Sequence, residues 1–502
     1  MKTTVSAAEL PDNSLPYLAS VSAGFNVDIR TPLFDGRERD QVADEVLGEM
    51  LDSGLLYPEL VEYEISQREK IGPSSIRKPF VEREENVEAY YNSGKRVNVE
   101  ISESGIKDIV GNDLPYSRLR PINSEESMNQ LPLNSNSGLP LFRKRKDVQE
   151  ESLSLAREGR NYPAMLGWRG QAKGLITTQR VVWMFPFSTN ILEGRFFRPL
   201  QEVLNRAVTY FSAWISMDEV DKRITSLMFN QRAIKNSVLL SSDFSGFDQS
   251  VVEQQDWFFT FVKLMFQARY AEEIDELAEI LATIEIICTR YIKFSGRHGV
   301  PSGSVFTNIL DSIVNLIAQN SSLYNAMPTH SQIQGDDGAV LVTDVSLHLE
   351  HLENCGFTVN PDKQYISEHT LIYLQRMHSM KHQIDGVARG SHPIMRALNS
   401  LLGQERYHKN WNANLEALRT YSIVENCKSH PWFVPFVQLV ARKGDKYLME
   451  FTRKMRDPKF AGEVIHAAHS IPGFVPSFNQ ITAINNLARF DSVQVVSEMM
   501  RN

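Results

Sequence analysis

Apolar residues fall into distinct patterns along this chain. Val42, Val46, Leu47, Met50 and Leu51 share one face of a predicted helix over residues 40–53, and Gly54 is placed to stop it. Residues 1–35 are irregular, punctuated by Pro, Ser and Asn, and suit a segment that wraps over the rest. Residues 57–122 are mixed and charged, a scaffold whose elements the pattern does not separate. Residues 200–216 predict a helix with Val203, Leu204, Ala207, Val208 and Phe211 inward. A short β-like run, Val238, Leu239 and Leu240, leads to Ser241, Ser242 and Asp243. Residues 254–294 carry helical periodicity, with aromatics assigned to the core and later acids (Glu272, Glu273, Glu276) to a solvated face. A helix of small and apolar residues is expected over 307–318.

Ile333 and the run Ala339, Val340, Leu341, Val342 flank Gln334-Gly335-Asp336-Asp337-Gly338. Gly and Asp suit a tight strand-to-strand turn, so a hairpin is expected with two adjacent carboxylates at its tip. Residues 346–356 read as a helix, Thr358-Val359 as strand-like, and 371–376 as another strand. Beyond about 380 the chain reads as mainly helical; Leu448, Phe451 and Met455 share a face that ends before Pro458.

Composition narrows the class. At 502 residues, 42% hydrophobic and 23% charged, the chain predicts one large lobed unit or a few subdomains. Three scattered cysteines, Cys288, Cys355 and Cys427, argue against a disulfide framework or a cysteine zinc site and for a reducing compartment. No apolar h-region opens the chain, and no apolar run reaches the length of a membrane span. The net charge of −8 argues against non-specific coating of nucleic acid. Residues 141–235 reverse that sign locally, with 16 Lys+Arg against 9 Asp+Glu, as a phosphate-handling region would.

Candidate chemistry sits on these elements. Asp243 and Asp336 are 93 residues apart, each at the end of a β run, and neighbouring strands could bring them together. Crowded carboxylates repel unless a cation joins them, and oxygen ligands suit Mg²⁺. Two such ions about 3.5–4 Å apart are the apparatus of in-line phosphoryl transfer. Asp248 follows Asp243 by five residues. Residues 161–184 intersperse Arg169, Lys173 and Arg180 with glycines, as an extended hairpin facing a polyphosphate would. The loop 134–140 leads into Arg143-Lys144-Arg145-Lys146, read either as a solvated basic run or as a rail for a phosphate backbone. The loop 295–304 is rich in Gly and Ser, which suits close approach to a sugar or phosphate. His298 within it reads as structural.

The ordered set resembles the viral RNA-dependent RNA polymerases, most closely those of small double-stranded RNA viruses, picobirnavirus type first and partitivirus type next. Asp243-x4-Asp248 resembles their first palm motif, Ser302-Gly303 with Thr307 the second, and Gly335-Asp336-Asp337 the third. Residues 356–363 are similar to the fourth motif and 373–376 to the fifth. Lys173 and Arg180 look like the finger motif over the incoming nucleotide, and residues 137–140 like the template-entrance motif. The resemblance implies an α+β right-hand fold of fingers, palm and thumb, closed by fingers–thumb bridging segments, with an antiparallel palm sheet flanked by helices. The implied divisions are an N-terminal bridge (1–60), fingers (61–236 and 254–294), palm (237–253 and 295–380) and a mainly helical thumb (381–502).

The resemblance also implies roles. Asp243 and Asp336 would hold two Mg²⁺, replaceable by Mn²⁺, with Asp337 the lesser partner. Lys363 would protonate pyrophosphate as general acid. Lys173 and Arg180 would bind triphosphate, Asp248 would select ribose, and Ser302, Gly303, Thr307 and Asp311 would shape the nucleotide pocket. Ser137, Gly138, Arg143, Lys144, Arg145, Lys146 and Arg376 would contact RNA, Arg376 near the primer grip. Relatives carry Asn where this chain has Asp311, which leaves Asn308 or Asn315 as further candidates for reading the sugar. RNA template, nascent strand, NTPs and a viral capsid protein are the implied partners of a monomer, in the virion and the host cytoplasm. Two other readings compete: a reverse transcriptase, which Asp248 argues against, and a non-catalytic capsid-associated RNA-binding protein, which the intact acids argue against.

Overall fold

The computed structural model describes residues 1–6, 10–174, 176–360, 364–471 and 484–501. Its strands in chain order are β1 (Lys2–Thr4), β2 (Ala164–Lys173), β3 (Ile176–Met184), β4 (Val238–Ser242), β5 (Ile286–Ile287), β6 (Ile292–Phe294), β7 (Gln332–Gln334), β8 (Asp337–Val342), β9 (Tyr365–Ser367), β10 (Thr370–Tyr373) and β11 (Arg376–Ser379).

The central sheet has the order β7-β8-β4-β9 and is antiparallel throughout. Both of its faces are covered, which is why its strands read as apolar runs rather than alternating ones. Leu239, Ala339 and Leu341 pack on Val220, Ile224 and Leu227 of the helix Met217–Gln231. Leu240, Val340 and Val342 belong to a larger core with Phe258 and Phe261 of Gln255–Met265 and Ile309 and Ile313 of Thr307–Asn320. Each such side chain contributes about 1.5–3 kcal/mol by leaving water. The register pairs Ser242 with Gly338 and Gln334 with Asp337, so the end of β4 lies beside the β7–β8 turn.

A second sheet has the order β1-β6-β5-β2-β3. The β2–β3 hairpin sets Arg169 opposite Arg180, and the first residues of the chain close the far edge as Lys2 pairs with Phe294. The same N-terminal region then reaches the other end of the molecule. Thr31 donates through its N–H to the Leu402 carbonyl (3.3 Å) and through Oγ1 to that of Leu401 (2.6 Å). Leu33, Val42, Val46 and Met50 share a core with Leu398 and Leu402 of Ile394–Leu402 and Tyr421 of Ala413–Val424.

Several expected elements differ. The helix expected at 200–216 is Phe187–Ala207; its inward positions extend back through Leu200, Phe196 and Ile191 to Phe187, just after Pro186. The region 254–294 is helical only to Thr283, because Ile286 and Ile287 pair with Ala164 and Met165; two-residue strands are too short to show a period. The strand expected over 371–376 is instead the β10–β11 hairpin, reversed at Leu374 (φ 50°) and Gln375 (φ 61°). Turns of that hand favour Gly or Asn, so this pair gives no signal. Of Thr358-Val359, only Val359 pairs, with Phe244 in an isolated bridge. Residues 57–122 hold the helices Pro58–Arg68, Glu84–Asn92 and Glu103–Val110. Among the described residues no helix is long and apolar enough to cross a membrane.

Leu240→Ala removes a fully buried side chain from the middle of β4. It is expected to cost about 2–5 kcal/mol, read as faster amide hydrogen exchange across β4 and β8. Unchanged exchange would show that the sheet does not depend on this packing.

Candidate active site

Asp243 follows β4 directly, and Asp336 stands on the turn between β7 and β8, where Gly335 takes a left-handed φ of 59°. One face of the Thr307–Asn320 helix grips this junction. Ser312 Oγ accepts from the Gly335 N–H (2.8 Å), Asn315 Nδ2 donates to the Gly335 carbonyl (2.9 Å), and Gln319 Nε2 donates to Ser242 Oγ (2.8 Å). Their i, i+3, i+7 spacing puts all three on one stripe. Asn315, a candidate sugar reader in the sequence, is thus a buried brace for the turn. Asn308 likewise is held by Trp214 Nε1 (2.9 Å) and Gln334 Nε2 (3.0 Å). Gln364 clamps the backbone of Asp243, accepting from its N–H (3.0 Å) and donating to its carbonyl (2.8 Å).

These acids face a cavity of about 1210 Å³, whose lining includes Asp243, Asp248, Asp336 and Asp337 together with Lys173 and Arg180 of the β2–β3 hairpin. Lys70 and Arg396 line it too. Burial and then the charges of Asp336 and Asp243 push the Asp337 carboxyl up to about 7, while Arg396 pulls it down. Burial and Asp336 raise Asp248 to about 6 against the pull of Arg180. Asp311, buried with one carboxylate oxygen unpartnered, is pushed well up by burial, Asp248 and Asp336. Burial and Arg396 lower Lys70, which the charge of Asp243 partly offsets. The acids therefore crowd one another beyond what the nearby cations neutralise.

The donor set fits Mg²⁺ in its chemistry, since Asp243, Asp336 and Asp337 offer only hard carboxylate oxygens. Among the described residues no three His, Cys, Asp or Glu side chains form a ready-made cation cage.

Other sequence candidates are placed differently. Ser302 and Gly303 pack against strand β3. Ser302 Oγ donates to the Val181 carbonyl (3.3 Å) and accepts from the Trp183 N–H (3.4 Å), and a Cβ on Gly303 would overlap the Trp183 carbonyl oxygen. Thr307 Oγ1 lies within hydrogen-bond distance of the carbonyls of Pro301 (3.0 Å) and Ser304 (2.9 Å). Ser137 is buried, its carbonyl accepting from the Phe187 N–H (2.8 Å), and Gly138 lies against the Phe185 carbonyl. His298 is buried, with both ring nitrogens on backbone carbonyls. Lys363 lies outside the described residues.

Two RNA-contact expectations are corrected. Arg376 is fully buried, 2.8 Å from Asp221, and donates to the Gly390 carbonyl (3.1 Å), so it cannot reach RNA. The basic run does not form one rail. Lys144 and Lys146 are exposed and Arg143 pairs with Glu151 (2.6 Å), but Arg145 turns inward to Asn190 (2.6 Å) and over the Phe187 ring (4.7 Å). In both cases the partner is distant in sequence, so composition alone suggested solvent. Lys70 and Arg396, missed in the sequence, carry no motif; Arg396 is a lone cation in the mostly apolar helix Ile394–Leu402.

Chain-wide comparison identifies the class that this sheet and its acids define. Residues 169–438 match the family model for viral RNA-dependent RNA polymerase. That span exceeds half of the chain, and the chain belongs to this family: it is an RNA-dependent RNA polymerase, acting on an RNA template with NTPs.

Within the family it is of the picobirnavirus type. It is 31% identical over 493 residues to the potential RNA-dependent RNA polymerase of Human picobirnavirus (strain Human/Thailand/Hy005102/-), across 91% of this chain and 90% of that one. It is 28% identical over 272 residues to the RNA-directed RNA polymerase of Cryptosporidium parvum virus 1 (strain KSU-1), across 48% of this chain and 50% of that one. Its fold matches the crystal structure of the RNA-dependent RNA polymerase of a human picobirnavirus with a TM-score of 0.87 and 27% identity, over 99% of this chain and 100% of that one. The right-hand architecture follows, and the reverse-transcriptase and non-enzymatic readings are set aside.

Arg376→Met leaves Asp221 buried without its closest cation. It is expected to destabilise the fold by about 3–5 kcal/mol, measured by denaturant unfolding, with the salt dependence of RNA affinity unchanged. A weakened salt dependence on an intact fold would restore Arg376 as an RNA contact.

Proposed function

We propose that this polymerase transcribes and replicates a viral RNA genome by nucleotidyl transfer assisted by two Mg²⁺ ions, which Mn²⁺ can replace. The observation that carries this reading is the meeting of Asp243, Asp336 and Asp337 at one end of the central sheet, over a cavity faced by Lys173 and Arg180. Asp243 and Asp336 would hold the ions, and Asp337, whose carboxyl burial and the neighbouring acids push up to about 7, would be the weaker partner. The bound ions would lower the pKa of the nascent strand's 3′-hydroxyl and neutralise the leaving pyrophosphate.

The chain's own groups do the rest. Lys173 and Arg180 clamp the triphosphate so that the α-phosphorus meets the 3′-oxygen in line. The 3′-hydroxyl gives up its proton to solvent as the new P–O bond forms and the bond to pyrophosphate breaks, and Lys363 supplies the proton that pyrophosphate takes up. Asp248 accepts a hydrogen bond from the ribose 2′-hydroxyl, which deoxyribose cannot give. Ser302, Gly303 and Thr307 hold the pocket wall, and Lys144 and Lys146 guide the template strand. The enzyme works as a monomer, packaged with the capsid protein in the virion and active in the host cytoplasm.

Asp336→Ala is expected to lower NTP incorporation on an RNA template by about 10³-fold or more, while RNA affinity stays within about two-fold in a filter-binding assay. Asp337→Ala is expected to lose less. Equal rates for Asp336→Ala and the unaltered chain would overturn the metal assignment. Ribonucleotides are expected to outcompete deoxyribonucleotides on the same template, and the reverse preference would remove Asp248 from sugar selection.

A further inference from the structure

Glu193 lies outside the cavity and has no part in the chemistry above, yet it is a carboxylate only 1% exposed. It sits on the Phe187–Ala207 helix one turn after Asn190, which is equally buried. The turn 303–305 is bound to these two residues. Ser304 Oγ donates to Glu193 Oε1 (2.6 Å), and the Val305 N–H donates to Oε2 (2.8 Å). Asn190 Nδ2 is within reach of both Glu193 Oε2 (3.1 Å) and the Gly303 carbonyl (3.1 Å). Asn190 Oδ1 in turn accepts from Arg145 (2.6 Å). Ser302 adds longer contacts to β3 at 3.3 and 3.4 Å, and local bonds to Pro301, Phe306 and Thr307 close the turn on itself.

We infer that Glu193 is a positioning residue whose carboxylate sets the wall of the nucleotide pocket and ties it, through Asn190 and Arg145, to the template-entrance segment. This rests on the reading that Ser302, Gly303 and Thr307 shape that pocket. Charge-assisted bonds from two donors of one turn are the strongest restraint on it. Protonation on Oε1 leaves Oε2 accepting from the Val305 N–H and the Asn190 amide, but it removes the charge that strengthens both bonds and displaces the Ser304 hydroxyl as donor.

The charged group facing Glu193 is Arg145, on the segment after the template entrance; the helix adds Asn190, and the turn adds Ser304 and the Val305 N–H. Burial pushes the carboxyl up to about 7, against the pull of those donors and of Arg145. Protonation as pH falls through that value therefore loosens the turn, and ionisation above it tightens the turn.

Steady-state NTP incorporation by the full chain tests this at pH 6.5 and 8.0, comparing the unaltered enzyme with Glu193→Gln, Ser304→Ala and the double variant. At pH 8.0 Glu193→Gln is expected to raise KM for NTP about 3- to 10-fold with a smaller change in kcat. The fall in KM between pH 6.5 and 8.0 flattens in that variant; the substrate's own ionisation cancels because it is common to both enzymes. Ser304→Ala shifts KM in the same direction, and the double variant is no worse than Glu193→Gln alone. An unaltered KM and pH profile in Ser304→Ala and Glu193→Gln would overturn the inference. So would an equal loss in kcat and kcat/KM with the pH profile intact, which marks a merely structural role. If Glu193→Gln does not fold, Ser304→Ala alone decides. Failure of the unaltered chain to incorporate NTPs would count against the polymerase reading instead.

Discussion

Asp337, Asp248 and Asp311 are each pushed toward the neutral form by burial first and then by neighbouring carboxylates. Asp243 and Asp336 are themselves exposed. What the fold fixes is the backbone that carries them. Gly335 and Ser242 are pinned by Ser312, Asn315 and Gln319, and Asp243 by Gln364. Ser312, Asn315 and Gln319 are buried polar groups, costly to leave unpaired, so each anchors this junction firmly. On the proposed two-ion reading, divalent cations would offset the charge gathered here, and the braced turn would hold the acids in place for them.

The rest of the molecule supplies walls for that floor. The β2–β3 hairpin brings Arg180 and Lys173 over the acids, and the helix Ile394–Leu402 brings Arg396 from the opposite side. The N-terminal region packs on both. Lys2–Thr4 is a strand of the sheet that contains β2 and β3, whereas Leu33, Val42 and Met50 are part of the core that holds Arg396's helix. Arg169 and Glu405 add a direct contact between the two sides.

What could be read in the sequence, and what could not, follows from the range of the interactions. Asp243 and Asp336 were legible because each ends a buried apolar run, and Thr307–Asn320 because its small and apolar residues keep a helical period. The Leu374-Gln375 reversal was not, since left-handed φ at residues other than Gly or Asn leaves no compositional trace. Arg145 and Arg376 misled for a different reason. Their burial depends on Asn190 and Asp221, 45 and 155 residues away, and no local pattern announces such a partner. Lys70 and Arg396 entered the site in the same way, through tertiary placement alone.

Mg²⁺ dependence of RNA synthesis tests the central claim most directly. NTP incorporation on an RNA template, followed as Mg²⁺ is raised from zero, is compared between the unaltered chain and Asp243→Asn, which keeps the size of the side chain but removes its charge. The unaltered enzyme is predicted to rise from no activity to a plateau. Asp243→Asn is predicted to stay near the baseline across the range that saturates the unaltered enzyme. Superimposable curves would contradict the assignment of the paired carboxylates as the Mg²⁺ site.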